Sequence, residues 1–225
     1  MTTKLALSVA ALAFAGAANA ATVSYNYGTP LAIAPIGGTD PVLPTITLAE
    51  SGTITDLDVF VNGYSHDSWR DTDFVLTLLA DDGSVESAVV LRGEGNLVFD
   101  VEAISGVDLV FDDEAGVDVP VSGLTSGSYR PTDYWDYVAN ETFGTLPIAA
   151  DLSDFADGLD MTRSFGLYVF DYFHGNAGAF TDWGLTVTFD EAVAVPAPGF
   201  TLGFAAFLMG GALVRRRSAN RAENA

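Results

Sequence analysis

Two histidines, His66 and His174, are the only imidazoles in a chain of 225 residues that carries 30 Asp and Glu and no Cys. A Ser-His-Asp triad needs a nucleophile, a base to take its proton and a carboxylate to orient that base. Serines and aspartates are plentiful, but no Gly-x-Ser-x-Gly elbow surrounds any serine. Glycoside hydrolysis would need two carboxyl groups at a set separation. Among so many acids such pairs are trivial to find, and a solvated acidic face accounts for them better.

Calcium suits the acids better, since it takes about six to eight oxygen ligands from carboxylates and carbonyls in bent loops. Asp73 begins an apolar run, Asp112 and Asp113 end one together, and Asp171 closes another. They read either as calcium ligands or as acids that solubilise strand ends, because no Asp-x-Asp-x-Asp-Gly loop is present. The aromatics offer a different chemistry. Tyr134, Trp135 and Tyr137 lie close together, with Trp69 and the pair Tyr172–Phe173 elsewhere. Such rings at loop tips stack on sugars or on protein partners, or else close the ends of the fold.

Charge removes whole classes of function. Positions 21 to 194 hold 29 acids against four arginines (Arg70, Arg92, Arg130 and Arg163) and no lysine, a net charge of −25. That field repels phosphate, so nucleic acid is excluded as a partner, and it attracts cations. The lack of cysteine rules out disulfides, zinc-thiolate sites and thiol nucleophiles.

The chain ends read as export signals. Lys4, an apolar run from Leu5, and Ala18-Asn19-Ala20 make residues 1–20 a signal peptide for signal peptidase, cut before Ala21. At the other end Val195, Pro196, Ala197 and Pro198 lead into a short apolar segment closed by Arg215, Arg216 and Arg217. Three arginines after an apolar helix place the C-terminus in the cytoplasm and the acidic part outside. This order of parts over 193–217 resembles the PEP-CTERM sorting signals, with Ala197 where Glu is usual. The resemblance implies a short transmembrane helix in the inner membrane, processing by an exosortase-like enzyme, and a cytoplasmic tail at 218–225.

Between the signals the sequence is all-β. Apolar residues alternate in Asp56–Val61, Phe74–Leu78, Val107–Phe111, Phe165–Val169 and Leu185–Phe189. Each run predicts a half-buried strand. Asp81-Asp82-Gly83-Ser84, Gly93-Glu94-Gly95-Asn96 and Gly175-Asn176-Ala177-Gly178 supply turns. No segment has a helical period. Short strands between Gly-rich turns predict a jelly-roll-like β-sandwich over 45–190, after a leader at 21–44.

The order of motifs over 45–190 resembles the P domain, or P/Homo B domain, found beside subtilisin-like catalytic domains. The resemblance rests on Ile54–Val61, on His66 followed by Asp73–Leu78, and on Phe111–Ala115. It continues through Gly127-Ser128-Tyr129-Arg130-Pro131 and closes on Leu167–Asp171 and Gly175–Leu185. In that family protease activity resides in a separate domain, and calcium sites are common. The four aspartates above fall on the matching motifs.

Two functions follow as expectations. One is an exported, non-catalytic module of the cell envelope or extracellular matrix, binding extracellular polysaccharide or a surface protein. The other is an accessory domain of a secreted subtilisin-like serine endopeptidase. Both keep catalysis out of this chain.

Overall fold

A computed structural model of the protein describes residues 19–33, 44–93, 101–134, 146–171 and 175–192. All of them fall in one compact unit, Ala18–Ala192. The sorting residues Val195 to Pro198 and Arg215 to Arg217, and most of the signal peptide, lie outside the described residues.

Among the described residues twelve strands form two sheets. The first contains β1 (Ala20–Asn26), β2 (Leu31–Ile33), β4 (Gly52–His66), β7 (Ile104–Phe111), β8 (Gly127–Tyr129), β11 (Gly178–Phe180) and β12 (Asp182–Glu191). The second runs in the order β3 (Thr45–Thr47), β10 (Ser164–Asp171), β5 (Thr72–Leu79), β6 (Val85–Arg92) and β9 (Ile148–Ala149). The architecture is an all-β sandwich, as the alternation predicts. All five alternating runs are strands, and the one described α-helix, α1 (Leu152–Ala156), is a single turn and a half.

The period of two explains the core. Inward positions Leu57, Val59 and Val61 of β4 and Trp183, Leu185 and Val187 of β12 are sealed from water. They face Phe74 and Leu76 of β5 and Phe165 and Leu167 of β10 across the sandwich. Each such side chain contributes about 1.5–3 kcal/mol on burial. Tyr64 meets Phe74 edge to face at 5.1 Å, which ties the long strand β4 to the second sheet.

The stretch 21–44 is not only a leader. Ala20–Asn26 pairs with β12 without a break, from Ala20 opposite Asp190 to Asn26 opposite Gly184. Ala21, Val23 and Tyr25 turn towards the core and Thr22 and Ser24 towards water. The domain therefore begins at the point where the signal peptide is expected to end.

Candidate functional site

Two groups of polar residues stand apart from the ordinary surface, one buried and one open. The buried group forms at the end of β4. There the 3₁₀ turn Trp69–Asp71 and the loop before β11 close over the sandwich edge. His66 Nδ1 accepts a hydrogen bond from the Ser68 amide at 3.1 Å, so its proton sits on Nε2, which faces Asp171 Oδ2 at 3.4 Å. Burial lowers the His66 pKa, and the Asp171 carboxylate works against that. Asp73 lies 4.0 Å from Arg92 Nη1, and the Arg92 guanidinium stacks 4.7 Å over the Trp69 ring. Asn176 donates to Asp71 Oδ2 at 2.8 Å, and the Asp67 carboxylate accepts from the Ala177 amide at 3.2 Å. These bonds fasten the glycine loop to the turn. Gly178 lets the loop pass over the imidazole, since a Cβ there would run into the His66 ring.

The open group lies on the outer face of the first sheet. Asp56, Asp58 and Phe60 occupy alternate positions of β4, beside Thr188, Thr186 and Gly184 of β12. On the far side of β12 come Thr22 and Ser24 of β1, bonded hydroxyl to hydroxyl with Thr188 at 3.0 Å and Thr186 at 3.4 Å. The Phe60 ring lies across Gly184, where any Cβ would strike it. Asp58 is half-buried, and its pKa is pushed up to about 7. Desolvation is the main cause, and the nearby Asp56, Asp112, Glu114 and Asp113 carboxylates add to it.

The four aspartates expected to hold calcium are not brought together. Asp112 and Asp113 lie near Asp58, whereas Asp171 lies at His66, eight residues and roughly 25 Å further along β4. The inner two, Asp73 and Asp171, are both fully buried at that end, where both carboxylates and the Arg92 guanidinium act on the Tyr64 hydroxyl. Asp112 accepts from the Glu114 amide at 2.7 Å and from the Ser128 hydroxyl at 3.2 Å. Asp113 accepts from the amides of Leu152 and Ser153 at the start of α1. Among the described residues no three carboxylates or imidazoles converge as metal ligands.

The aromatics also divide. Trp69 is wholly buried beneath Arg92 and is not a surface ring. Tyr134 is 39% exposed and its hydroxyl donates to the Val119 carbonyl, while Trp135 and Tyr137 lie outside the described residues. Phe60 escaped the sequence reading because it sits mid-strand, where an alternating pattern makes no distinction between a core position and an outward one until the register is known. Its signal was Gly184, a residue that weakens a strand unless something packs closely on it.

No protein-family profile matches this chain, and no curated protein matches it. Among solved structures it is similar to the serine protease of Aeromonas sobria in complex with the chaperone ORF2. That match has 14% identity and a TM-score of 0.35, and covers 76% of this chain and 28% of that one. The same protease in a second crystal structure matches with 14% identity, a TM-score of 0.35 and coverage of 75% and 27%. The VP2 subviral particle of infectious bursal disease virus matches at 7% identity and a TM-score of 0.34, covering 80% of this chain and 37% of that one. The chain thus spans well under half the length of each.

Proposed function

We propose that this protein is an exported, non-catalytic β-sandwich of the P/Homo B type, delivered to the cell envelope or the extracellular matrix, where it acts by binding. The state of His66 is the observation that carries the reading. A general base needs one ring nitrogen free to take a nucleophile's proton. Here one nitrogen is held by an amide and the other faces a carboxylate, both away from water. A buried polar cluster of this kind fastens loops.

Export rests on the two terminal signals, with signal peptidase at one end and an exosortase-like enzyme at the other. Calcium enters as a loosely held counter-ion of the Asp56, Asp58 and Asp112 ridge, in place of a four-aspartate site. A second reading, an accessory domain for a secreted subtilisin-like endopeptidase, rests on the P-domain order of motifs, several of which fall on consecutive strands of the sandwich.

The test is turnover by the full chain on casein and on a panel of chromogenic glycosides. Rates at the level of buffer are expected, for the wild type and for His174→Ala alike. Turnover that His174→Ala abolishes would refute the non-catalytic reading.

A further inference from the structure

We propose that the outer face of the first sheet, centred on Phe60, docks an extended segment of a partner protein that carries Arg or Lys at alternate positions. This deepens the binding-module reading by assigning it a face and a partner chemistry.

The geometry comes from one strand. Asp56, Asp58 and Phe60 project on the same side of β4 at two-residue steps, roughly 7 Å apart. An extended peptide repeats its side chains at the same interval, so one laid along β4 brings alternate side chains over these three positions. The half-buried Phe60 ring reaches over Gly184 and stays partly open to solvent, and a guanidinium or ammonium group of the segment would stack on it. Asp58 and Asp56 accept charge-assisted hydrogen bonds from the next cation along. Thr186 and Ser24 at the flank offer hydroxyls to the backbone of the bound segment.

Charge complementarity selects this occupant. Between residues 21 and 194 the only cationic side chains are four arginines. Arg130 pairs with Asp118, Arg163 pairs with Glu86, Arg92 is buried against Trp69 and Asp73, and Arg70 belongs to the turn beyond the far end of β4. The domain therefore supplies no cation to this face, and the arginines that follow it, Arg215 to Arg217 and Arg221, are expected on the cytoplasmic side of the membrane. Counter-charge has to come from another molecule. A segment bearing several cations is held more firmly than separate salt ions, because binding one fixes the position of the next.

The probe is a fluorescein-labelled peptide of repeated Ser-Arg, and the readout is anisotropy with the full chain in a neutral detergent at physiological salt. Phe60→Leu keeps an apolar cover over Gly184 but removes the π face, and it should weaken binding roughly two- to fivefold. Phe60→Tyr should bind as the wild type does. Asp58→Asn should weaken binding several-fold, while Asp81→Asn, the same substitution in the β5–β6 turn, should leave it unaltered. Far-ultraviolet circular dichroism of each variant checks the fold.

Equal binding by wild type and Phe60→Leu would overturn the proposal, since general charge attraction would then suffice. Equal losses in Asp58→Asn and Asp81→Asn would do the same. Displacement of the peptide by an uncharged oligosaccharide would replace the occupant with a glycan. Displacement by millimolar calcium, beyond what sodium chloride of equal ionic strength achieves, would replace it with a metal ion. Turnover in the casein assay would sink the non-catalytic reading and leave these affinities unchanged, so the two failures are distinguishable.

Discussion

Asp58 makes the protein pay for its charge in a defined range of pH. Its folded pKa of about 7 lies above the ordinary value of 3.8, so the folded state holds this proton more tightly than the unfolded state does. The stability that this proton supports is complete below about pH 4 and is lost as pH rises towards 7. Because the side chain is only half-buried, solvent screening reduces the effect to on the order of 1 kcal/mol. Asp58→Asn should remove that decline, and urea unfolding between pH 4 and pH 8 measures it. His66 runs the opposite way. Its folded pKa is lowered, chiefly by burial, so stability falls as pH drops below the ordinary 6.5, where the unfolded state takes up the proton first. His66→Gln should flatten that acid limb in the same titration, whatever it does to the midpoint at neutral pH. At this scale the sequence was informative about identities and poor about partners. His66, Asp73 and Asp171 stood out by type, yet pairing His66 with Asp171 needs a register between distant strands that no local pattern encodes.

At the scale of elements, legibility followed one-sided burial. Strands with one face in water, such as β4, β7 and β12, announce themselves by alternation. β6 did not, because Ala88 to Arg92 is buried on both sides and the run reads as continuous. β1 stood apart from the other runs because only Val23 and Tyr25 of its inward positions are large, and its Ala, Thr and Ser say little about burial. Helix α1 was invisible for a different reason. At five residues it is too short for a period, and it depends on outside caps. Asp151 accepts from the Asp154 amide, and Asp113, reaching from the end of β7, holds the amides of Leu152 and Ser153. Asp113→Ala should therefore lower stability by about 0.5–2 kcal/mol with no change in any ligand affinity. Thermal unfolding alongside peptide binding separates the two outcomes. A residue that looked like a metal ligand from its sequence neighbours is a helix cap in the fold.

For the whole molecule, the distribution of charge sets the behaviour. A surface this acidic repels itself, and salt relieves the repulsion by screening. Raising sodium chloride from about 10 mM to 150 mM, which shortens the Debye length from roughly 30 Å to 8 Å, should raise the melting temperature of the full chain. Calcium at matched ionic strength should add only a small further increase, consistent with a counter-ion on the ridge. A large calcium-specific rise, abolished by Asp112→Asn, would instead restore a true site. The fold class was legible at this scale because alternation summed over five runs leaves little else to build. The pairing of the first described strand with the last was not, since it joins positions some 170 residues apart. That pairing has a mechanical consequence. Ala20 lies opposite Asp190, and the Glu191 amide donates to the Asn19 carbonyl, so the chain enters and leaves the sandwich side by side. In the exported chain, cut before Ala21, tension between the two ends would load the rungs one after another, starting from Ala21 and Phe189, and would peel β1 off β12 like a zip. Stretched between two attachments the domain would open at low force, whereas hung from one end alone it carries no load across that seam.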